Sequence, residues 1–376
     1  MDTNDQPKHK IAIDGREITN KGTGIGRYTK NLISNLLQID KSIDYYVLTN
    51  GENLQLGEYT NLKILPSEKI RNSDWETKFV PEVMEKYKLD LFHNTRSGNT
   101  YFQPMDFPYI TTVHDIIPWK FQKEFPQTVV NRWNQLFPQY IENAKHVITI
   151  SNKTTEDLVA WTGINKERFS IIYQGIDRKF DKISKQKAKE LMKTHFDLEH
   201  PYILTIGRNQ TYKNVHSLIK AYSLLPKKLK KNFRLVIGGN RVEEYQSIIN
   251  DLSLKEYVKP LGYIPEELLA ALYSGSELYV FPSLYEGFGF PPLEAMSFGI
   301  PVLSSNMDTM HEVLEDAAIY FNPMDPADMA DKIKLMLKKS SLCNEMSKKG
   351  LNHIKKYSWE KTARQTLQVY QSILNK

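Results

Sequence analysis

The stretch that decides the fold is FPSLYEGFGFPPLEAMSFG, residues 281–299. It follows an apolar run that is typical of a buried strand and continues through a Gly/Pro-rich turn into a helix. Such a turn presents backbone N–H groups at a helix N-terminus, where the helix dipole favours anions. Glu286 and Glu294 flank the turn with seven residues between them, and carboxylates beside an anion site need hydroxyl groups or cations as partners. A sugar joined to a nucleotide offers both hydroxyls and phosphates, whereas the alternative is an ordinary turn with two solvated glutamates.

Residues 286–302, which read EGFGxxxLEAMxxGxPV, resemble the signature of retaining glycosyltransferases of the GT-B fold, family 4. The resemblance implies an α/β protein of two Rossmann-like domains that face a central cleft, with a C-terminal helix that crosses back to the N-terminal domain. It also implies the domain limits: an acceptor-side domain at residues 1–180, a nucleotide-sugar domain at 181–357 and the returning helix at 358–376.

Composition fits a protein of this kind and excludes several others. A chain of 376 residues is long enough for two domains. The formal net charge of +6 is modest, and the absence of zinc-finger, RNP and basic-helix patterns argues against nucleic acid. The one cysteine, Cys343, excludes an internal disulfide. Neither a signal peptide nor a long apolar run is found, so we expect a cytoplasmic protein whose membrane contact is at most peripheral, at the inner face.

A second glycine-rich stretch, GTGIGRY at residues 22–28, lies between a predicted strand and a predicted helix. Glycines let a backbone approach a ligand closely, although a flexible loop is the simpler interpretation and the spacing is wrong for a Rossmann fingerprint. The resemblance implies that Gly24, Ile25 and Gly26 face the donor, with Arg27 on the acceptor side. GIGRY resembles the version in bacterial mannosyltransferases of polysaccharide and lipopolysaccharide O-antigen assembly.

Two histidines end predicted strands of the N-terminal half, where ligands of parallel sheets gather. His114 follows residues 108–113 in the pattern TVHD, and the resemblance implies a functional histidine at this place. His93 ends an earlier strand and is a second candidate, for the acceptor side. Either ring is alternatively a histidine satisfied by local hydrogen bonds. Aromatic and basic residues alternate over residues 116–145, which indicates either an acceptor or membrane surface or a helix core with a solvated face.

The resemblance also covers the link between the halves and the C-terminal half. Residues 169–177 resemble the strand that leads into the interdomain hinge, with Gln174 where the family has Asn. Arg208 and Lys213 match a Gly-Arg-x4-Lys pattern that can converge on a diphosphate, although two solvated cations are the alternative. Tyr263 is expected beside the nucleobase. The remaining expected donor contacts come from the signature itself: Phe288, Gly289, Phe290, Leu293 and Glu294.

The expected chemistry needs neither metal nor cofactor, because the sequence has no Asp-x-Asp pair and offers its own cations for the departing diphosphate. The resemblance assigns Glu294 to the ribose, Glu286 to the sugar hydroxyls and His114 to orienting or polarising the donor sugar. It implies retention, for which the usual proposal in the family is that the leaving phosphate deprotonates the acceptor. The sequence leaves open whether Glu286 acts as a nucleophile.

The predicted function is transfer of mannose from GDP-mannose to a glycan or lipid-linked acceptor. A UDP-sugar-dependent transferase, a GT-B epimerase or hydrolase of nucleotide sugars, and a non-catalytic binding subunit are the alternatives. Turnover of the donor without an acceptor would indicate the epimerase or hydrolase. Degenerate motifs would indicate the binding subunit, and the motifs here are complete.

Overall fold

A computed structural model describes residues 8–19, 23–51, 54, 56–67, 70–96, 102, 105–176 and 183–375. The chain divides into two compact units. The first unit comprises residues 1–175 and 357–376, and the second unit comprises residues 176–356. Gly22 and Asp177, which belong to stretches discussed above, lie outside the described residues.

The first unit contains a seven-stranded parallel sheet with the order β3-β2-β1-β4-β5-β6-β7. Its central strands are almost continuously apolar because helices cover both faces of a parallel sheet. The strands are β1 (His9–Asp14), β2 (Ile43–Thr49), β3 (Leu62–Pro66), β4 (Leu91–Asn94), β5 (Tyr109–Val113), β6 (His146–Thr149) and β7 (Phe169–Ile171).

The helices of the first unit begin and end at recognisable caps. Thr23 accepts a hydrogen bond from the N–H of Gly26, Ser151 accepts one from that of Thr154, and Gly163 ends a helix with a φ of 71°. The helices are α1 (Gly24–Ile39), α2 (Asn72–Asp74), a π-helical turn (Trp75–Phe79), α3 (Val80–Tyr87), α4 (Ile117–Lys120), α5 (Gln127–Asn143), α6 (Asn152–Thr162) and the last helix, α16 (Trp359–Leu374); 3₁₀ turns are Arg16–Thr19, Gln122–Glu124 and Lys166–Arg168.

Helix α16 packs into the first unit, as the predicted returning helix requires. Ser358 caps it by accepting from the N–H of Lys361, and the Thr362 hydroxyl donates to the carbonyl of Tyr173 at 2.8 Å. Near its other end, the Tyr370 hydroxyl lies 2.6 Å from Nδ1 of His93 in β4. Helix α16 is therefore part of the first unit.

The aromatic side chains of residues 116–145 follow the simpler of the two interpretations. Trp133, Phe137 and Tyr140 are buried in the core. Trp119 is half-buried and stacks on Trp161, with ring centroids 4.6 Å apart. Most of this aromatic surface is thus already covered by the first unit itself.

The second unit contains a six-stranded parallel sheet with the order β10-β9-β8-β11-β12-β13. Its strands are β8 (Tyr202–Ile206), β9 (Arg234–Gly238), β10 (Val258–Gly262), β11 (Leu278–Phe281), β12 (Val302–Ser305) and β13 (Ile319–Phe321). Its helices are α7 (Lys185–Phe196), α8 (Val215–Ser223), α9 (Lys227–Asn232), α10 (Gln246–Asp251), α11 (Glu266–Ser274), α12 (Phe290–Ser297), α13 (Asp308–Leu314), α14 (Pro326–Lys338) and α15 (Ser340–His353); 3₁₀ turns are Thr211–Lys213, Val242–Tyr245, Glu315–Ala317 and Ile354–Lys356.

Each sheet has one topological switch point, where the order of strand addition reverses. In the first unit it lies between β1 and β4, and in the second unit between β8 and β11. Parallel α/β sheets bind ligands in the crevice beyond the carboxyl ends of the strands at such a point. The prediction of two parallel α/β domains is confirmed, and the topology singles out where each unit is expected to bind.

Candidate functional site

The switch point of the second unit gathers the residues that the sequence had singled out. Gly207 and Arg208 follow β8, and the loop that carries Glu286 follows β11. The exposed side chain of Arg208 belongs to the loop after β8, and its carbonyl accepts a hydrogen bond from the hydroxyl of Tyr245 at 3.1 Å. The two loops therefore start from neighbouring strands at one edge of the sheet.

Lys213 and Glu286 meet directly between these loops. The Nζ atom of Lys213 lies 2.6 Å from Oε1 of Glu286, and both side chains are largely shielded from solvent. The turn that carries Lys213 is fixed by Asn214, whose amide donates to the carbonyls of Pro282 and Pro323 at 3.1 and 2.8 Å. A lysine predicted to bind a diphosphate and a glutamate predicted to bind a sugar thus form one charge-assisted pair.

The turn before α12 depends on Gly289. Its φ is 92°, and a Cβ atom there would lie 2.6 Å from Cε of Met310, so only glycine fits without strain. Pro291 and Pro292 occupy early positions of the helix and have no N–H. The predicted anion site at this helix N-terminus is therefore poorer in backbone donors than a helix start without prolines.

Two of the expected donor contacts of the signature are core residues. The side chains of Phe288 and Leu293 are buried, with 2% and 0% of their surface exposed. Phe290 is half-buried and packs edge-on against Phe288. Hydrophobic packing already uses both side chains, and the predicted donor contacts of Phe288 and Leu293 stay predictions. Only their main chain remains available.

Glu294 has a partner that the sequence did not reveal. Its Oε2 atom accepts a hydrogen bond of 2.7 Å from the hydroxyl of Tyr273 in α11, and both residues are buried. The Tyr273 ring stacks on Phe298 with centroids 5.3 Å apart. The carboxylate is therefore held in one orientation by a tyrosine that is itself held by packing.

Tyr263 follows β10 and is one of the exposed large hydrophobic side chains of the described residues, with 62% of its surface accessible. Gly262, just before it, has a φ of 77°, and its carbonyl accepts from the N–H of Gly239 at 2.8 Å. The place of Tyr263 at the carboxyl edge of the sheet is compatible with stacking on a base. Its predicted role beside the nucleobase stays a prediction.

In the first unit, His114 follows β5 and is buried with both ring nitrogens engaged. Nε2 lies 2.9 Å from the carbonyl oxygen of Thr95, and Nδ1 lies 3.0 Å from Nε2 of Gln174. The ring also packs edge-on against Tyr28 at 4.8 Å. Burial lowers the pKa of His114 to about 4, so the ring is neutral at physiological pH.

His93, the second histidine candidate, lies in β4 within the core of the first unit. Its side chain is fully buried, Nδ1 contacts the hydroxyl of Tyr370 and Nε2 contacts that of Thr112 at 2.8 Å. Burial, together with the nearby His114, lowers its pKa to about 3. These contacts tie the sheet to α16, and the predicted acceptor role of His93 stays a prediction.

The GIGRY stretch is helical from its first residue, so the predicted glycine loop is wrong from Gly24 onward. Gly24 begins α1 and is exposed, and Ile25 follows it half-buried in the first turn. A Cβ atom on Gly26 would lie 2.3 Å from the carbonyl oxygen of Glu17, so this glycine permits close packing. Arg27 is half-buried on the same turn, and its predicted acceptor role stays a prediction.

Sequence reasoning missed a charge network at the switch point of the first unit. Arg16 donates to Asp14 at the end of β1 and also contacts Glu76 at 3.3 Å, with all three side chains buried. Arg96, which follows β4, pairs with Glu17 at 2.5 Å across the switch point. The GRE sequence directly after β1 was the available signal, because charges rarely follow a buried strand without a partner.

The described residues offer neither a preformed metal site nor a membrane-spanning helix. They contain no group of three or more His, Cys, Asp or Glu side chains placed to hold a metal ion. Within the same residues, no helix has the length and apolar character needed to span a bilayer.

Two family models match the chain. The model described as Glycosyltransferase Family 4 matches residues 22–180, and the model described as Glycosyl transferases group 1 matches residues 186–353. Among curated proteins, the O-antigen chain mannosyltransferase B of Escherichia coli is 26% identical over 368 residues, which cover 93% of this chain and 96% of that protein.

Solved structures agree with the family models at the level of the fold. Sucrose-phosphate synthase from Thermosynechococcus elongatus superposes with a TM-score of 0.76 at 20% identity, over 98% of this chain and 100% of that one. Anabaena HepE, in complex with UDP and glucose, superposes with a TM-score of 0.73 at 18% identity, over 97% of this chain and 100% of that one. These superpositions support a GT-B architecture.

Proposed function

The chain belongs to the glycosyltransferases of family 4 and has the GT-B fold, and on this premise we propose that it transfers mannose from GDP-mannose to a glycan or lipid-linked acceptor with retention of configuration. That it is a hexosyltransferase follows from its family and from its mannosyltransferase relatives. The choice of mannose is supported by the E. coli relative named as a mannosyltransferase and by the GIGRY stretch.

The observation that carries the proposal is the Lys213–Glu286 pair at the switch point of the second unit. Arg208 and Lys213 supply two cations for the diphosphate, while Glu286 supplies a carboxylate for sugar hydroxyls. Because one lysine serves both groups, the diphosphate and the sugar are bound side by side. Glu294, oriented by Tyr273, binds the ribose hydroxyls.

In the proposed reaction, the bond between the anomeric carbon and the diphosphate oxygen breaks as the acceptor oxygen bonds to the same carbon on the same face. The acceptor proton goes to the departing phosphate oxygen, so no protein base is needed. Arg208 and Lys213 stabilise the charge that develops on the diphosphate. The ion pair with Lys213 suits Glu286 to binding hydroxyls more than to attacking carbon, because its charge is already compensated. Neutral His114, whose Nε2–H becomes available to a sugar oxygen when it leaves the Thr95 carbonyl, orients the donor sugar.

Metal independence is part of the proposal, because Arg208 and Lys213 take the place that Mg²⁺ has in other phosphoryl and glycosyl transfers. We expect transfer to continue in excess EDTA at close to its initial rate. Complete loss of activity with EDTA, restored by Mg²⁺ or Mn²⁺, would show that these cations are insufficient. We further propose peripheral contact with an anionic membrane surface, which the net charge of +6 favours. Part of the enzyme should then sediment with anionic vesicles and none with neutral ones.

Donor identity is tested by calorimetry and slow hydrolysis with GDP-mannose, GDP-glucose, UDP-glucose and UDP-N-acetylglucosamine. We expect GDP-mannose to bind and to turn over best. Lys213→Met should abolish tight binding of every donor, whereas the matched variant Lys220→Met, at an exposed position of α8, should not. A preference for UDP sugars would show that the donor is a UDP sugar. Hydrolysis or epimerisation that no acceptor accelerates would show that the enzyme is not a transferase.

A further inference from the structure

His114 is held in a single protonation state by the groups around it. The Thr95 carbonyl, 2.9 Å from Nε2, can only accept a hydrogen bond, so Nε2 must carry the proton. Nδ1 is then a bare acceptor in the neutral ring. Its neighbour at 3.0 Å, the side-chain amide of Gln174, must present its N–H₂ group. By contrast, both partners of His93 are hydroxyls, which can donate or accept, so its tautomer is left open.

The chain segment that carries Gln174 is fixed against α16. The carbonyl of Tyr173, on one side, accepts from the Thr362 hydroxyl at 2.8 Å. On the other side, a Cβ atom at Gly175 would lie 2.2 Å from the backbone nitrogen of Trp359. With both neighbours held this closely, Gln174 is anchored where its amide reaches His114.

The position of the Gln174 side chain leaves one of its polar atoms unsatisfied. Only 1% of the residue is exposed, and its Oε1 atom has no hydrogen-bond partner among the described residues. An unsatisfied buried acceptor destabilises the fold, and a methionine or leucine of similar size would avoid it. Packing alone therefore does not account for an amide here, whereas a donor for Nδ1 of His114 does.

We propose that Gln174 is a positioning residue that keeps His114 in the neutral Nε2–H tautomer for glycosyl transfer. The proposal rests on the proposed role of His114 at the donor sugar. The other titratable groups that face His114 do not compete for this role. Tyr28 meets its ring edge-on while its own hydroxyl contacts Thr112, and His93 is itself neutral within its two hydroxyl contacts.

The decisive variant is Gln174→Glu, which puts an acceptor where Nδ1 now receives a donor. Because Nε2–H is still required by the Thr95 carbonyl, the ring must become the doubly protonated cation, and its pKa must rise. We expect activity at pH 7 to fall at least tenfold and to recover as pH is raised towards 9. Gln174→Asn, which keeps the amide, should retain the pH profile of the unsubstituted enzyme, and Gln174→Met should lose activity at every pH.

The matched control is Asn61→Asp in the first unit. Asn61 is another buried amide whose Oδ1 lacks a hydrogen-bond partner among the described residues, and it donates to backbone carbonyls of Asp40 and Ile43. The variant Asn61→Asp therefore reproduces the loss of stability that any buried carboxylate causes, at a position away from His114. Recovery of activity at high pH in Asn61→Asp, or its absence in Gln174→Glu, would overturn the proposal.

Imidazole ¹⁵N spectra, assigned with His114→Asn, provide a readout that needs no substrate. We expect one protonated nitrogen on His114 in the unsubstituted chain and two in Gln174→Glu at pH 7. A wild-type ring protonated on Nδ1 alone would refute the assignment. If the spectra follow expectation but the rates do not, the proposed role of Gln174 in transfer fails. If GDP-mannose neither binds nor reacts, the proposed function fails while the spectra still test the tautomer.

Discussion

At the scale of single residues, the pairing of Glu286 with Lys213 changes what a substitution is expected to do. Glu286→Gln removes the carboxylate that accepts from sugar hydroxyls, so we expect turnover to fall about a hundredfold, as for other contacts that strengthen in the transition state. It also releases Lys213 from its partner at 2.6 Å. Free nucleotide diphosphate should then bind as tightly as before or more tightly.

Steady-state kinetics and calorimetry on the same preparation measure the two effects separately. Glu256→Gln, an exposed position before β10, serves as the control and should change neither. Weaker binding of nucleotide diphosphate to Glu286→Gln would mean that this glutamate organises the phosphate site, contrary to the roles assigned above.

The hydrogen bond from Tyr273 to Glu294 yields a second prediction at this scale. Tyr273→Phe keeps the stacked ring but frees the carboxylate, so we expect the affinity for donor and for free nucleotide to fall together by about tenfold, or about 1.4 kcal/mol. Tyr202→Phe is the control, because its hydroxyl donates to the Leu272 carbonyl and not to Glu294. Equal losses of affinity in both variants would show that Tyr273 acts only through stability.

At the scale of elements, the turn into α12 is expected to tolerate no side chain at Gly289. Alanine there would combine a φ of 92° with a contact of 2.6 Å to Met310. We expect a loss of about 1–3 kcal/mol in stability and most of the donor affinity, because the strained turn must shift. Gly163→Ala is the matched case: its φ is 71°, but nothing lies within 4 Å of the added carbon, so binding should be unaffected. Normal donor affinity in Gly289→Ala would show that this turn is not part of the donor site.

The elements that could be predicted from sequence are those whose signal is local. The central strands are apolar runs, and the buried strand predicted directly before the signature is β11 (Leu278–Phe281). Edge strand β3 was missed because none of its residues is fully buried and Lys63 and Pro66 are exposed, which gives no apolar run. The partners of the site residues were missed for another reason: Lys213 and Glu286 are 73 positions apart, and Gln174 and His114 are 60 apart. Only tertiary packing brings such side chains together.

At the scale of the whole molecule, the two units differ in their expected response to acid. His93 and His114 lie in the first unit, and burial lowers their pKa values to about 3 and about 4, from about 6.5 in an unfolded chain. The unfolded state therefore takes up protons first as the pH falls. The stability that the two neutral rings contribute is complete above pH 6.5 and is lost as the pH falls towards their folded values.

The first unit can be followed by itself, because all five tryptophans, Trp75, Trp119, Trp133, Trp161 and Trp359, belong to it. Urea unfolding monitored by tryptophan fluorescence should show each histidine removing about 2 kcal/mol between pH 7.5 and pH 5. His93→Asn should be less stable at pH 7.5, because contacts with Tyr370 and Thr112 are weakened, yet its stability should fall less steeply with acid. His195→Asn, exposed on α7 of the second unit, should follow the unsubstituted chain. An unchanged slope in His93→Asn would show that this ring titrates alike in the folded and unfolded states, and that its place between β4 and α16 imposes no protonation state.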